Sequence, residues 1–199
     1  MTRLILYRHG RTAWNVTGRV QGQLDVDLDD VGVAQTVRAA PRVAGFAPDV
    51  IISSDLRRAA RTAEAVATLV GGTVTHDERL RERHYGPWQG LDHAQIEARY
   101  PDEYARWGIV EPIGVSAIES VADLAKRMLA VMQDAIAAVG PDGTALLVTH
   151  GGAARAGCAA LLGWSDDMLK TIGALGNCHY AELRIADERG WQLRAHNVG

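Results

Sequence analysis

The chain has 199 residues, of which 47% are hydrophobic and 23% charged, and its formal net charge at pH 7 is −3. This composition is typical of a folded globular protein and excludes collagen-like, mucin-like and disordered classes. The slightly acidic balance provides no global basic field that would attract nucleic acid or an anionic membrane. We therefore expect one domain over residues 1–199, with no nucleic-acid or membrane partner and with any anion site formed locally.

Predicted strands and helices alternate along the chain. The apolar run at residues 4–7 predicts a buried strand, because strands covered on both faces lack polar alternation. Two later runs share this pattern, and segments with apolar residues at helical spacing lie between them. The predicted strands are 4–7, 50–52 and 145–149, and the predicted helices are 31–44, 56–70, 119–139 and 151–162. Such alternation predicts an α/β fold with a mostly parallel sheet.

The end of the chain has a different pattern. Residues 180–185 and 191–197 alternate loosely around Glu188, Arg189 and Gly190, which predicts a hairpin of antiparallel edge strands. Residues 108–118 lack periodicity and are expected to form a loop.

Two cysteines, Cys158 and Cys178, lie in stretches predicted as a helix and a strand. They lack metal-site or disulfide spacing, so buried free thiols are expected. The N-terminal apolar run is too short for a secretory signal, and no apolar run is long enough to span a membrane. A reducing cytoplasm is the expected location.

Polar clusters follow three of the predicted strands. His9 follows the first, Ser53 and Ser54 end the second, and His150 follows the third. Ligands of open α/β sheets bind beyond the carboxyl ends of the strands, so His9 and His150 are expected to meet at one crevice. A single histidine at a strand end is more often capped or solvated, but two in matching contexts favour a site.

Glycines accompany both histidines. Gly10, Gly151 and Gly152 are predicted to let backbone N–H groups approach an anion, and a helix N-terminus follows the second histidine. The phosphate-loop pattern GxxxxGK[ST], the dinucleotide pattern GxGxxG and the metal patterns HExxH and CxxC are absent. We therefore expect no cofactor and no metal.

Four motifs resemble those of one family, in the family's order. They are LILYRHGRTAWN at 4–15, SSDLRRAARTAEAV at 53–66, LRERHYGPWQG at 80–90 and VTHGG at 148–152. The chain thereby resembles the histidine phosphatase superfamily, branch 1, also called phosphoglycerate-mutase-like. The resemblance implies a three-layer α/β/α sandwich and a phosphatase whose histidine is transiently phosphorylated.

The resemblance also implies roles for individual residues. It assigns His9 as the nucleophile and Glu82 as the proton donor to the leaving oxygen. The implied phosphoryl-binding residues are Arg8, Arg58 and His150, and the implied substrate-binding residues are Asn15, Gln21 and Gly151. Without the resemblance, Glu82 would be interpreted as a surface salt-bridge partner of Arg81 or Arg83, and Asn15 and Gln21 as loop caps.

The chemistry independently favours these residue types. A histidine nucleophile needs an unprotonated ring nitrogen, and neighbouring guanidinium groups disfavour imidazolium. Arginine also matches phosphate oxygens bidentately and keeps its charge. Arg57 and Arg58 project about 100° apart on a helix, so only one can easily face the crevice, and the family pattern selects Arg58.

The segment after the third motif distinguishes members of the family. Mutases carry a long basic insertion there, whereas residues 92–114 of this chain are rather acidic, which favours hydrolysis over phosphoglycerate mutase activity. QGQLD, SSDLRRA and WQGLDHAQI are similar to actinobacterial members that act on glucosyl-3-phosphoglycerate. The expected partner is a small phosphorylated metabolite, either a sugar phosphate or a phosphoglycerate derivative.

One further alternative and one departure from the family remain. A non-catalytic phospholigand-binding module could use the same arginines, but it would not need His9, Glu82 and His150 together. Where related phosphatases often have GGES, residues 117–120 are Ala-Ile-Glu-Ser, and the apolar Ile118 leaves the specificity open. Both a monomer and a homodimer are compatible with the resemblance.

Overall fold

A computed structural model describes residues 1–107, 117–185 and 187–199 of the chain. In this part of the chain, six strands form one sheet in the order β3-β2-β4-β1-β5-β6. The strands are β1 (Arg3–Arg8), β2 (Val50–Ser53), β3 (Val74–His76), β4 (Thr144–Thr149), β5 (Tyr180–Ile185) and β6 (Trp191–Val198). The first four are parallel, and β5 and β6 are antiparallel. The predicted sheet type and C-terminal hairpin are therefore confirmed.

Four of the described helices match the four predicted ones to within two residues at each end. The described helices are α1 (Ala13–Val16), α2 (Asp30–Ala44), α3 (Arg57–Val70), α4 (His93–Arg99), α5 (Pro101–Ala105), α6 (Val121–Val139), α7 (Gly151–Leu162) and α8 (Asp166–Leu169). None of them is long and apolar enough to cross a membrane. Most of the predicted loop 108–118 lies outside the described residues.

The central strands bury both faces because successive side chains of a strand point to opposite sides of the sheet. On one face, Leu4 and Leu6 of β1 pack in a cluster with apolar residues of α6 and α7. On the other face, Ile5 and Tyr7 pack with residues of α2 and α3. Two helical layers thus cover the sheet, which confirms the three-layer α/β/α sandwich.

A smaller apolar cluster lies outside the two main layers. Val20, Trp88 and Ile96 form its buried centre, and Tyr85 and Trp107 are among the partly buried residues that pack against it. These residues come from the segment after α1 and from the region around α4 and α5. The cluster therefore joins segments that are distant in sequence and that contribute residues to the pocket described below.

The two cysteines differ in their local structure. Cys158 lies in α7, as predicted, but Cys178 lies in the turn before β5 with a φ of 57°, so its prediction as a strand residue was wrong. A positive φ is incompatible with an extended strand, and apolar periodicity carries no signal for it. Both thiols are free and buried, as predicted.

Candidate active site

The carboxyl ends of three parallel strands lie side by side in the sheet. The Arg8 position of β1 pairs with Thr149 of β4, and the His9 N–H donates to the Thr149 carbonyl at 3.1 Å. The Ser54 N–H, after β2, donates to the Val148 carbonyl at 2.9 Å. This register brings together the two predicted histidines, and the ring centroids of His9 and His150 lie 5.0 Å apart.

A pocket of about 180 Å³ opens at these strand ends. Seven of the eight site residues predicted from the sequence line it. They are Arg8, His9, Asn15, Gln21, Arg58, Glu82 and His150. The pocket is smaller than the roughly 300–1,000 Å³ typical of sites for drug-sized ligands. It therefore has room for a small group, and a larger ligand would extend beyond it.

His9 is held as a neutral imidazole. Its Nδ1 lies 2.7 Å from the Gly10 carbonyl oxygen, which can only accept, so Nδ1 carries a proton and Nε2 has a free lone pair. The side chain is 3% exposed, and burial lowers its pKa well below the usual 6.5, with further lowering by Arg58 and Arg8. A buried histidine beside two cations thus keeps an unprotonated ring nitrogen at neutral pH.

His150 is also neutral, with the opposite tautomer. Arg58 Nε donates to its Nδ1 at 3.3 Å, so the proton lies on Nε2, which is 3.0 Å from the Ser54 hydroxyl oxygen. Burial lowers the pKa of His150 well below its usual value, and Arg58 and His9 lower it further. The contact with Ser54 was not predicted, although its position at a strand end marked it as a candidate.

Arg58 is almost completely buried, at 1% exposure. Its Nη1 donates to the Leu24 carbonyl and its Nη2 to the Gly22 carbonyl, both at 2.7 Å, which leaves a second N–H on each terminal nitrogen. Burial lowers its pKa to about 10, so the guanidinium remains charged at neutral pH. Arg57 instead pairs with Asp25 and is 60% exposed, so Arg58 is the member of this pair that faces the pocket.

Arg8 lies between the pocket and the start of α7. Its Nη1 donates to the Leu175 carbonyl at 2.5 Å, and its buried Nε has no hydrogen-bond partner among the described residues. Burial lowers the pKa of Arg8, and the nearby Glu82 raises it.

Gly151 does not line the pocket, unlike the other predicted site residues. A Cβ on Gly151 would lie 3.4 Å from the Ala174 Cβ and 3.5 Å from the Arg8 Cζ, which is ordinary van der Waals contact, so neither neighbour requires a glycine here. The substrate-binding role that the resemblance implies for Gly151 stays a prediction.

Glu82 occupies the N-terminus of α7. Its carboxylate accepts hydrogen bonds from the backbone N–H groups of Gly152, Ala153 and Arg83 at 2.8–2.9 Å. A Cβ on Gly152 would lie 2.7 Å from the Glu82 Oε1, so the glycine is needed for this approach. The helix does bind an anion, but the Gly152 N–H, which was expected to reach a ligand, is bonded to the protein's own carboxylate.

The salt-bridge interpretation of Glu82 is wrong for the described structure. Arg81 pairs with Asp55, and Arg83 donates to the Glu119 carbonyl. Arg127 holds the backbone at this point, because its Nη2 donates to the Glu82 carbonyl at 2.9 Å and its Nε pairs with Glu119.

Gly10 also differs from its predicted role. Its N–H donates to the Thr62 hydroxyl oxygen at 3.1 Å, and Thr62 in turn donates to the Arg58 carbonyl at 2.7 Å. A Cβ on Gly10 would lie 2.8 Å from the Gly32 carbonyl oxygen. This glycine therefore allows close packing against α2 and does not offer its N–H to a ligand.

The two predicted amide residues both line the pocket. Asn15 Oδ1 accepts from the backbone N–H and the hydroxyl of Thr12, and from Asn177 Nδ2 at 3.2 Å. Asn15 thus caps α1, as the alternative interpretation held, while the residue also lines the pocket. Gln21 Oε1 is buried without a hydrogen-bond partner in the described part of the chain.

Arg19, Tyr85 and Trp107 also line the pocket, and sequence reasoning did not assign them to it. Trp107 bounds the pocket and stacks on His93 at a centroid distance of 4.7 Å. Ile118, which departs from the family pattern, packs against the Trp88 cluster and pairs with Tyr85. The described residues contain no group of three or more His, Cys, Asp or Glu side chains that could hold a metal ion.

Comparisons with known proteins agree with the family resemblance. The model of the histidine phosphatase superfamily (branch 1) matches residues 4–199. A glucosyl-3-phosphoglycerate phosphatase of Mycolicibacterium vanbaalenii is 40% identical over 187 residues, which cover 91% of this chain and 83% of the relative. Structures of a mycobacterial glucosyl-3-phosphoglycerate phosphatase with VO3 and with inorganic phosphate have TM-scores of 0.87 and 0.86 and identities of 38% and 36%. Both cover 99% of this chain, and the chain covers 99% and 97% of theirs.

The two buried histidines predict a pH-dependent stability. Their folded pKa values lie well below 6.5, whereas the unfolded chain binds protons at about 6.5. Below pH 6.5 the unfolded state therefore binds more protons, and the free energy of unfolding should fall by up to ~1.4 kcal/mol per pH unit for each histidine. Urea unfolding at pH 7.5, 6.5 and 5.5 in phosphate-free buffer measures this slope.

His150→Gln should remove about half of this slope, whereas His76→Gln, at an exposed position on β3, should retain it. A free energy of unfolding that is constant from pH 7.5 to 5.5 would contradict the neutral buried pair.

Proposed function

The chain belongs to the histidine phosphatase superfamily (branch 1), and from this premise we propose that it hydrolyses phosphate monoesters through a phosphohistidine on His9. The observation that carries the proposal is a buried imidazole with its Nδ1 proton bonded to the Gly10 carbonyl. Its Nε2 lone pair is free, and Arg8 and Arg58 line the same pocket. A neutral nucleophile beside fixed positive charge suits attack on an anionic phosphoryl group.

The first step transfers the phosphoryl group to the enzyme. The Nε2 lone pair of His9 forms the N–P bond, the ester P–O bond breaks, and Glu82 donates a proton to the leaving alcohol oxygen. Arg8 and Arg58 stabilise the nonbridging oxygens. His150 donates its Nε2 proton to one of these oxygens in place of Ser54.

The second step returns His9 to its starting state. The Glu82 carboxylate accepts a proton from water, the water oxygen bonds to phosphorus, and the N–P bond breaks to release inorganic phosphate. Glu82 carries the transferred proton at the start of the first step and is a carboxylate at the start of the second. The N–H groups of Gly152 and Ala153 hold the carboxyl group in place.

We propose a phosphorylated sugar or phosphoglycerate derivative as the substrate, with glucosyl-3-phosphoglycerate as the first candidate. The 40% identity to an enzyme named for that substrate supports this choice. The small pocket also supports it, because it would enclose the phosphoryl end while a sugar extended outside. The free buried cysteines fit a reducing compartment such as the cytoplasm.

Phosphoglycerate mutase activity and simple phospholigand binding are less well supported. The segment after the third motif lacks the basic insertion that would retain a released intermediate, so water can reach the phosphohistidine. A binding module would need neither the free Nε2 of His9 nor the carboxylate held at the start of α7.

Replacing His9 should abolish the phosphoenzyme. We expect wild-type protein to turn over p-nitrophenyl phosphate in EDTA, because buried arginines supply the positive charge, and to trap acid-labile label from a 32P-labelled ester. His9→Ala should show neither turnover nor label, while His76→Ala should show both. A label that persists in His9→Ala would assign the nucleophile to another residue, and a strict magnesium requirement would contradict catalysis by these side chains alone.

Arg58→Lys should lower kcat by about 10²–10³-fold, by analogy with the loss of one preorganised oxyanion donor. Lysine keeps the charge but loses the planar fork that bonds His150, Gly22 and Leu24 at once. Arg57→Lys, the same change one residue earlier on an exposed side chain, is the matched control and should change kcat by less than about threefold. Equal kcat values in the two variants would remove Arg58 from the proposed machinery.

A further inference from the structure

Arg19 is a third arginine in the pocket, and it has no carboxylate partner. It lines the pocket together with Arg8 and Arg58. Its Nη1 donates to the Gly90 carbonyl at 2.6 Å and lies 3.5 Å from Gln95 Oε1. Among the described residues, no group accepts a hydrogen bond from its Nε or Nη2, and no carboxylate oxygen lies within 4.0 Å of its guanidinium nitrogens. By contrast, the arginines on the nearby outer surface of α3 are each paired with an aspartate.

The charge balance of the pocket leaves Arg19 uncompensated. Among the described lining residues there are three guanidinium groups and one carboxylate, that of Glu82. In the proposed first step Glu82 is protonated, and a phosphate dianion compensates two of the three positive charges. One positive charge therefore remains for a second anionic group on the ligand.

Arg19 is held by other parts of the fold than Arg8 and Arg58. Val20 and Gly90 are joined by a backbone hydrogen bond of 2.8 Å, and Val20 and Leu91 by one of 2.9 Å, so the segment carrying Arg19 is attached to the chain before α4. Arg8 instead ends β1, and Arg58 lies in the first turn of α3. The third guanidinium is thus held by other elements than those that carry the proposed phosphoryl-binding pair.

We propose that Arg19 binds a carboxylate of the substrate and so selects phosphorylated hydroxy acids over phosphomonoesters that lack the acid. The proposal rests on the proposed function and specifies its substrate class. A carboxylate is the natural partner for a guanidinium with two unused donor nitrogens, because the planar fork bonds both oxygens at once. The competing explanation is that Arg19 only ties down Gly90, in which case its loss would affect all substrates alike.

The test compares two substrates with the same skeleton. 3-Phosphoglycerate carries the carboxylate, and glycerol phosphate has a hydroxymethyl group in its place. Wild-type protein should have the higher kcat/KM for 3-phosphoglycerate. Arg19→Gln should lower kcat/KM for 3-phosphoglycerate by about 10- to 100-fold, as expected for a lost charged hydrogen bond, and that for glycerol phosphate by less than about threefold. Its inhibition constant for inorganic phosphate should be unchanged.

Two other variants control the experiment. Arg99→Gln makes the same charge change at an exposed position at the end of α4 and should retain the wild-type preference. Arg19→Lys keeps the charge without the fork and should retain part of the preference, which provides a test if Arg19→Gln does not fold. A wild-type enzyme without preference, or an equal loss for both substrates in the Arg19 variants, would overturn the proposal.

Failure of the proposed function gives a different result. If wild-type protein turned over neither ester and carried no label on His9, the hydrolase proposal would fail. The Arg19 proposal would then be decided by calorimetric affinities of the His9→Ala variant for the same two ligands. Tighter binding of 3-phosphoglycerate, lost with Arg19→Gln, supports it, and equal affinities overturn it.

Discussion

The hydrogen bond from His9 Nδ1 to the Gly10 carbonyl determines what the pocket can do. It assigns the ring proton to the nitrogen that faces the backbone and leaves Nε2 free. Burial and the charges of Arg58 and Arg8 then keep a second proton off the ring, because an imidazolium would be desolvated beside two cations. The arginines that would attract a phosphate therefore also maintain the neutral form of the residue proposed to attack it.

The rest of the fold holds this arrangement through contacts between distant segments. Thr62 links the Gly10 N–H to the Arg58 carbonyl, so the loop after β1 and the helix carrying Arg58 are fixed to each other. Arg127 of α6 bonds the Glu82 carbonyl, while the N-terminus of α7 bonds its carboxylate. Such preorganisation reduces the rearrangement required when charge develops on a bound phosphoryl group.

The sequence was most informative where local pattern determines structure. Continuous apolar runs identified the central strands, and the polar residues after them identified the edge of the sheet where His9 and His150 meet. The β3 strand, with three residues, was too short to show a pattern. The predictions for the glycines were less accurate. Gly151 lies beside Arg8 and Gly152 beside Glu82, and local sequence does not show these contacts because both partners are distant in the chain. Arg19, Arg127 and Asn177 were missed for the same reason.

The central claim concerns the protonation of one ring, and nitrogen-15 NMR of the ligand-free protein tests it most directly. The account predicts that His9, assigned by its absence in His9→Ala, has Nδ1 protonated and Nε2 unprotonated, with no titration between pH 8 and 6. An imidazolium signal for His9 that titrates near 6.5, or a proton on Nε2, would contradict it.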